Sequence, residues 1–156
     1  MNFARVASTV LIVAGVALLL AQLVPVQDFD PPSEGDISAP PAIEATLRRA
    51  CYDCHSNETR WPWYRRIAPV SWLVARDVER GRRQINFSEW GAYYPATRKR
   101  KLQWSERAVR EHAMAPSSYL LIHPGARLSD ADRSALENWI ESSTSASSPE
   151  TSSPGQ

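Results

Sequence analysis

The sequence predicts an all-α domain carried behind an amino-terminal transmembrane helix. Three observations predict it: a long apolar run at the start, four later segments with apolar residues every three to four positions, and no strand pattern around the two cysteines. Of the 156 residues, removing the apolar start and the polar ends leaves roughly 110, enough for one core. The formal charge of +1 is that of an ordinary soluble surface, so no nucleic-acid partner is expected. No internal repeat, catalytic triad, phosphate loop or spaced carboxylate pair points to hydrolytic or transfer chemistry.

Arg5 precedes the run from Val6 to Val24, whose polar interruptions are Ser8, Thr9 and Gln22. At about 1.5 Å per residue the run covers most of a hydrocarbon core about 30 Å thick. It is longer than a signal-peptide core, and no small-x-small site follows it before Pro25. Residues 1–26 are therefore read as an uncleaved anchor, with a cleaved signal peptide as the alternative. Arg5 lies on one side and Asp28 and Asp30 on the other, which leaves the amino terminus in the cytoplasm. In a bacterium this is a single pass of the inner membrane with the carboxy-terminal domain in the periplasm. Residues 27–41 are rich in Pro, Asp, Glu, Ser and Gly and read as a linker to the domain at 42–142. Residues 143–156, rich in Ser, Thr and Pro, read as a disordered tail.

Within the domain, Pro40 and Pro41 start a first helix whose inner face carries Ile43, Leu47, Ala50 or Cys51, and Cys54. Arg48 and Arg49 on it face water. A second helix is expected from Ser71, as cap, to Gly81, as stop, packing through Leu73, Val74 and Val78. A third runs from about Thr97 to His112, with Leu102, Val109 and Ala113 inward and the basic run Arg98 to Lys101 outward. That run is either a solvated helix end or a docking patch for an acidic partner. The last helix starts after Ser129 as N-cap, carries Asp130 and Asp132 in its first turn, and buries Ala135, Leu136, Trp139 and Ile140 before ending near Glu141.

The first helix closes on Cys51-Tyr52-Asp53-Cys54-His55, the attachment signature of a covalently bound c-type haem. Each cysteine can form a thioether to one vinyl group, and the adjacent histidine is placed beneath the iron. Asp53 is read as a surface spacer, and a haem propionate is the alternative to water as the surrounding of Arg48 and Arg49. Zinc would need further paired ligands, which His112 and His123 do not form, and a redox disulfide would want strands around the motif. An exported domain agrees with haem attachment outside the cytoplasm.

The other face of the iron governs function. Met114, two residues before Pro116 on an expected loop, is the leading distal ligand and suits electron transfer. His112 and His123 are the rivals, and an open site would permit small-molecule or peroxidase-like chemistry. Trp61, Trp63, Tyr64 and Trp72 follow the motif closely and are candidate cavity walls, although ordinary core packing uses the same residue types.

The segments Cys51-Tyr52-Asp53-Cys54-His55-Ser56-Asn57, Trp61-Pro62-Trp63-Tyr64, Ala68-Pro69, Ser71-Trp72, Asp77-Val78, Gly81-Arg82, Asn86-Phe87-Ser88 and Trp90 occur in this order. Met114, Pro116, Tyr119, His123-Pro124, Ala126 and Leu128-Ser129 follow. Together they resemble a bacterial family of haem-binding domain proteins related to c-type cytochromes, over about residues 42–142. The resemblance implies a cytochrome-c-like helical fold holding one haem c, with Cys51 and Cys54 as attachment points, His55 as axial ligand and Met114 in the family's methionine position. That position usually reads Gly-Glu-Met-Pro, whereas Ala113 precedes Met114 here and Ala115 separates it from Pro116. The expected function is a membrane-anchored monohaem one-electron carrier serving redox proteins of the periplasm or membrane. A haem-based sensor or assembly protein, or a peroxidase-like enzyme, is the alternative.

Overall fold

Among the described residues the chain forms seven α-helices and three short 3₁₀ turns, with no strand. The computed structural model describes residues 3–26 and 30–146, so the start of the linker at 27–29 and the tail at 147–156 lie outside them. Helix α1 (Phe3–Ala21) buries no residue and is long and apolar enough to cross a membrane. The predicted run continues past it as a turn at Gln22–Val24, and Gln22 is bonded to the domain. Its Nε2 donates to Ala68 O (3.1 Å), and its Oε1 accepts from Ala68 N (3.1 Å).

The segment read as a linker is packed against the domain from Asp30 onward. Ile37 is buried in the core, its amide donating to Phe87 O (3.0 Å), and the amide of Glu34 donates to Ser88 O (2.8 Å). Gly35 turns the chain with φ +109°, a region open to glycine, and its carbonyl accepts from Gly91 N (2.9 Å). Composition marked this stretch as polar, yet one buried isoleucine and three backbone bonds are enough to fix it.

Helix α2 (Pro41–Ala50) starts with proline in its first turn, as expected, and buries Ile43 and Leu47. The backbone breaks at Cys51, and the cysteine motif forms a separate single turn, α3 (Tyr52–His55). Arg48 pairs with Glu44 (2.9 Å) and Glu58 (2.7 Å), while Arg49 donates to Gly125 O and Arg127 O and pairs with Asp132 (3.0 Å). Neither arginine is left to water alone, and Arg49 ties α2 to the start of the last helix.

Helix α4 (Val70–Gln84) follows a 3₁₀ turn (Trp63–Arg66) and departs from expectation at both ends. It begins after Pro69, so Ser71 is a buried helical residue, and it passes through Gly81 to Gln84. Leu73 is exposed and Val74 half-buried; the packed positions are Ser71, Val78 and Gly81. Gly81 is a packing residue rather than a stop. A Cβ there would sit closer than 3.0 Å to the carbonyl of Cys54, so only glycine lets α4 approach α3 this closely.

A 3₁₀ turn (Phe87–Ala92) leads to α5 (Pro95–Arg110), which starts two residues before the expected Thr97, on a proline suited to the first turn. Within the basic run, Arg98 donates to Gly91 O and Lys101 to Gln84 O, the latter lying over the Tyr93 ring at 4.7 Å. The helix ends in a Schellman motif: His112 adopts φ +55°, its amide donates to Val109 O (3.2 Å), and that of Ala113 donates to Ala108 O (2.9 Å). Ala113, expected inward, is exposed. Short α6 (Ser117–Ile122), which periodicity did not reveal, precedes a third 3₁₀ turn (Pro124–Ala126).

Helix α7 (Asp130–Ala146) starts as predicted. The Ser129 hydroxyl accepts from Asp132 N (3.1 Å), and the Asp132 carboxylate accepts from Ser129 N (2.8 Å) and Oγ (2.7 Å), a reciprocal cap. Leu136 and Ile140 are buried and Trp139 half-buried, whereas Ala135 is exposed. The helix continues to Ala146, so the first four residues assigned to the tail are helical. Helices α2, α5 and α7 pack together, α3 lies on α4 and α2, and the core joins Ile43, Leu47, Ile85, Phe87, Leu102, Val109, Leu136 and Ile140.

Two predictions follow from packing and capping. Asn86→Ala removes a buried amide that donates to Asn57 Oδ1 (2.7 Å) and accepts from Ser88 N (3.1 Å), so it should lower unfolding free energy by about 2–3 kcal/mol in denaturant titration. Backbone and side-chain bonds from Ser129, with Arg49 beside it, hold the Asp132 carboxyl below its ordinary value. A depressed folded pKa contributes stability above the unfolded value near 4, lost as pH falls through the folded one. Asp132→Ala should therefore cost about 1 kcal/mol at neutral pH and make the acid limb of a stability–pH profile shallower.

Candidate functional site

The three motif residues meet in one cavity because α3 is held from two sides. Its amides at Cys54 and His55 donate to Cys51 O (3.2 and 2.9 Å), which curls the segment. His55 is buried against α4, with Nδ1 2.9 Å from Gly81 O and 3.2 Å from Ile85 O. Both partners are carbonyls, so Nδ1 carries the proton and donates. This leaves Nε2 as the unprotonated nitrogen. Burial lowers the His55 pKa below its ordinary value, outweighing the opposing pull of the two carbonyls, so the ring is neutral at neutral pH.

Behind the motif, Ser56 and Asn57 join a buried polar network. Ser56 Oγ donates to Tyr52 O (2.8 Å), Asn57 N donates to Ser88 Oγ (3.1 Å), and Asn86 closes the circuit. Arg82 reaches across from α4, donating to Ser56 O (2.8 Å) and Thr59 Oγ1 (2.9 Å) and pairing with Asp30. Asp53 is no mere spacer: its carboxylate accepts from Arg60 Nε (3.0 Å) and Tyr119 Oη (2.7 Å). The motif is thereby tied to the following loop and to α6.

Cys51, Cys54 and His55 line one cavity that is partly open to solvent. Its walls are Leu47, Ile85, Phe87, Leu102, Val109, Leu136 and Ile140 from the core, with Trp104, Trp139 and Tyr119. Burial pushes the thiol of Cys51 up to about 12 and that of Cys54 up to about 11. Both stay protonated at neutral pH, the opposite of the lowered values that activate redox cysteine pairs.

Met114 lines the same cavity, on the loop after the α5 terminus. Of the rivals, His112 is the exposed residue of the Schellman turn, and His123 stacks on Tyr119 at 4.2 Å and lies 3.4 Å from Tyr64 Oη. Neither lines the cavity. The four aromatic residues expected as walls lie elsewhere. Trp61 donates to Asp30 Oδ2 (2.7 Å), Trp63 is 79 % exposed, Tyr64 lines a second cavity with His123 and Tyr119, and Trp72 is 39 % exposed. Closeness in sequence misled here, because the loop lies on the other side of the motif, where Tyr64 lines the second cavity with Asp53 and Cys54. The aromatic walls of the first cavity instead include Trp104 on α5, Tyr119 on α6 and Trp139 on α7, of which the helical spacing of the last helix had marked Trp139.

A family model described as a haem-binding domain matches residues 16–142. The chain belongs to the haem-binding domain family. The comparisons with curated proteins and with solved structures returned no match. The family match runs from within α1 to within α7 and so includes every wall of the cavity. The residues present fit a haem: the walls are mostly apolar, two thiols face the same space, and a neutral imidazole offers one unprotonated nitrogen. In this haem-binding domain Gly81 both admits α3 and supplies a carbonyl to His55. Gly81→Ala should cost about 1–3 kcal/mol in thermal unfolding and lower the fraction of protein carrying haem, read as the ratio of Soret to protein absorbance.

Proposed function

We propose that this protein is a membrane-anchored monohaem c-type electron carrier, with its haem domain on the periplasmic face of a bacterial inner membrane. Cys51 and Cys54 are the thioether attachment points, His55 the proximal ligand through Nε2, and Met114 the distal ligand. The observation that carries the reading is a shared cavity: of His55, His112, His123 and Met114, only His55 and Met114 line it, together with both thiols. The apolar helix α1 supports the anchor, and the side of the run on which Arg5 lies supports the orientation.

Bound there, the haem supplies a reversible one-electron couple. The chain's residues set its surroundings. The Nδ1–H bonds of His55 to Gly81 and Ile85 fix the ring's tautomer and orientation and make Nε2 a stronger donor. Trp104, Trp139 and the aliphatic core give the cavity mostly apolar walls, which disfavours the extra positive charge of the ferric state and favours a raised potential. Electron donors and acceptors are redox proteins of the same compartment or membrane.

Expression beside a cytochrome c maturation system followed by denaturing electrophoresis tests the attachment. The full chain should stain for haem at its own mass, and Cys51→Ala with Cys54→Ala should abolish the stain; an unstained parent protein would overturn the proposal. Met114→Ala should retain the stain but lose the far-red charge-transfer band of methionine ligation and lower the reduction potential. An unchanged spectrum would exclude Met114 as the ligand. Rapid turnover of peroxide by the parent protein would favour the enzymatic alternative.

A further inference from the structure

The segment from Trp63 to Leu73 carries side chains that neither the core nor the cavity uses. Trp63, Ile67, Val70, Trp72 and Leu73 are all exposed, Trp63 at 79 %, although an apolar core lies close by. Arg66 is exposed between them, and the Arg65 guanidinium lies over the Trp61 ring at 5.4 Å. Scattered apolar residues on a surface need no explanation, but a run of them with two tryptophans marks a surface that meets something apolar.

What it meets is indicated by its position. Ala68, at the middle of this segment, is bonded through both backbone N–H and C=O to the side-chain amide of Gln22, the residue directly after α1. Arg65, Arg66, Ala68 and Ser71 line a common groove with Gln22 and Val24–Val26. The exposed segment therefore lies at the level where the chain leaves its apolar helix. Tryptophan beside arginine is the pairing favoured at a membrane–water boundary, with the ring at headgroup depth and the guanidinium on phosphate.

We propose that the Trp63–Leu73 face rests on the bilayer that α1 enters, with Trp63, Ile67 and Leu73 in the interfacial layer and Arg66 on lipid phosphate. Gln22 acts as the rigid joint between anchor and domain. The domain is thus held in one orientation on the membrane surface, not suspended on a flexible tether. This rests on the reading of α1 as a membrane anchor.

Full-length protein reconstituted in vesicles of phosphatidylcholine and phosphatidylglycerol provides the test. Nitroxide labels are introduced through Trp63→Cys, Leu73→Cys and, on the exposed face of α5, Gln103→Cys. Relaxation by oxygen and by a water-soluble nickel chelate then reports depth. Labels at 63 and 73 should favour oxygen, the label at 103 should favour nickel, and Gln22→Ala should shift the first two toward nickel. Equal nickel access at all three positions, in protein that resists alkaline carbonate extraction, would overturn the docked face while leaving the anchor intact. Release by carbonate would overturn the anchor and the face together. Labels at 63 and 73 shielded from both probes would show a protein partner in place of lipid and would also overturn the proposal.

Discussion

At Gly81 two helices come within backbone contact, and the rest of the site depends on that approach. The missing side chain lets α4 lie against the Cys54 carbonyl, and the same residue's own carbonyl then falls 2.9 Å from His55 Nδ1. A helix interior ordinarily disfavours glycine by roughly 1 kcal/mol. Here that cost is offset by an imidazole held neutral, oriented and in one tautomer. With α3 seated on α4, Ser56 and Asn57 meet Ser88 and Asn86, and this buried network spaces the motif from the 3₁₀ turn that carries Phe87. A cavity can then stay open on the opposite side, because the polar groups that would otherwise collapse into it are satisfied behind it.

The helical class, the capped start of α7 and the proline start of α2 were legible because each depends on residues within one or two turns of each other. Ser129 and Asp132 recognise one another across three positions, and Pro41 needs no partner at all. Gly81 was misread as a helix stop because its role is set by Cys54, 27 positions away in the chain, and no local pattern separates a terminating glycine from a packing one. Asp53 was misjudged for the same reason: its partner Tyr119 lies on α6, a six-residue helix too short to display a period. The cysteines, His55 and Met114 stood out as candidates because their chemistry is rare in this chain, and the fold brings them to one cavity. The aromatic walls were misplaced because aromatic residues are plentiful in it, and only tertiary packing separates Trp139 beside the cavity from Trp63 in solvent.

The two carboxylate-centred clusters divide the work of assembly. Arg49 with Asp132 joins α2 to α7, closing the helical frame. Asp53 with Arg60 and Tyr119 joins α3 to α6, closing the loop side. Both sit near the surface, where ion pairs alone add little, so their value lies in fixing register between elements that the apolar core leaves free to slide.

The Schellman turn at His112 has a bearing on which changes this chain tolerates. Met114 reaches the cavity only because α5 stops at Arg110 and reverses through a left-handed residue. Helix α5 thus acts as a ruler, and its length, counted from the buried Leu102, sets the direction in which the loop emerges. Inserting or deleting a single residue between Leu102 and Val109 would rotate that direction by about 100° and displace it by about 1.5 Å. Side-chain replacements along α5 are local events absorbed by packing, whereas a change in its length re-aims the sulfur, so the length of α5 is under tighter constraint than most of its composition.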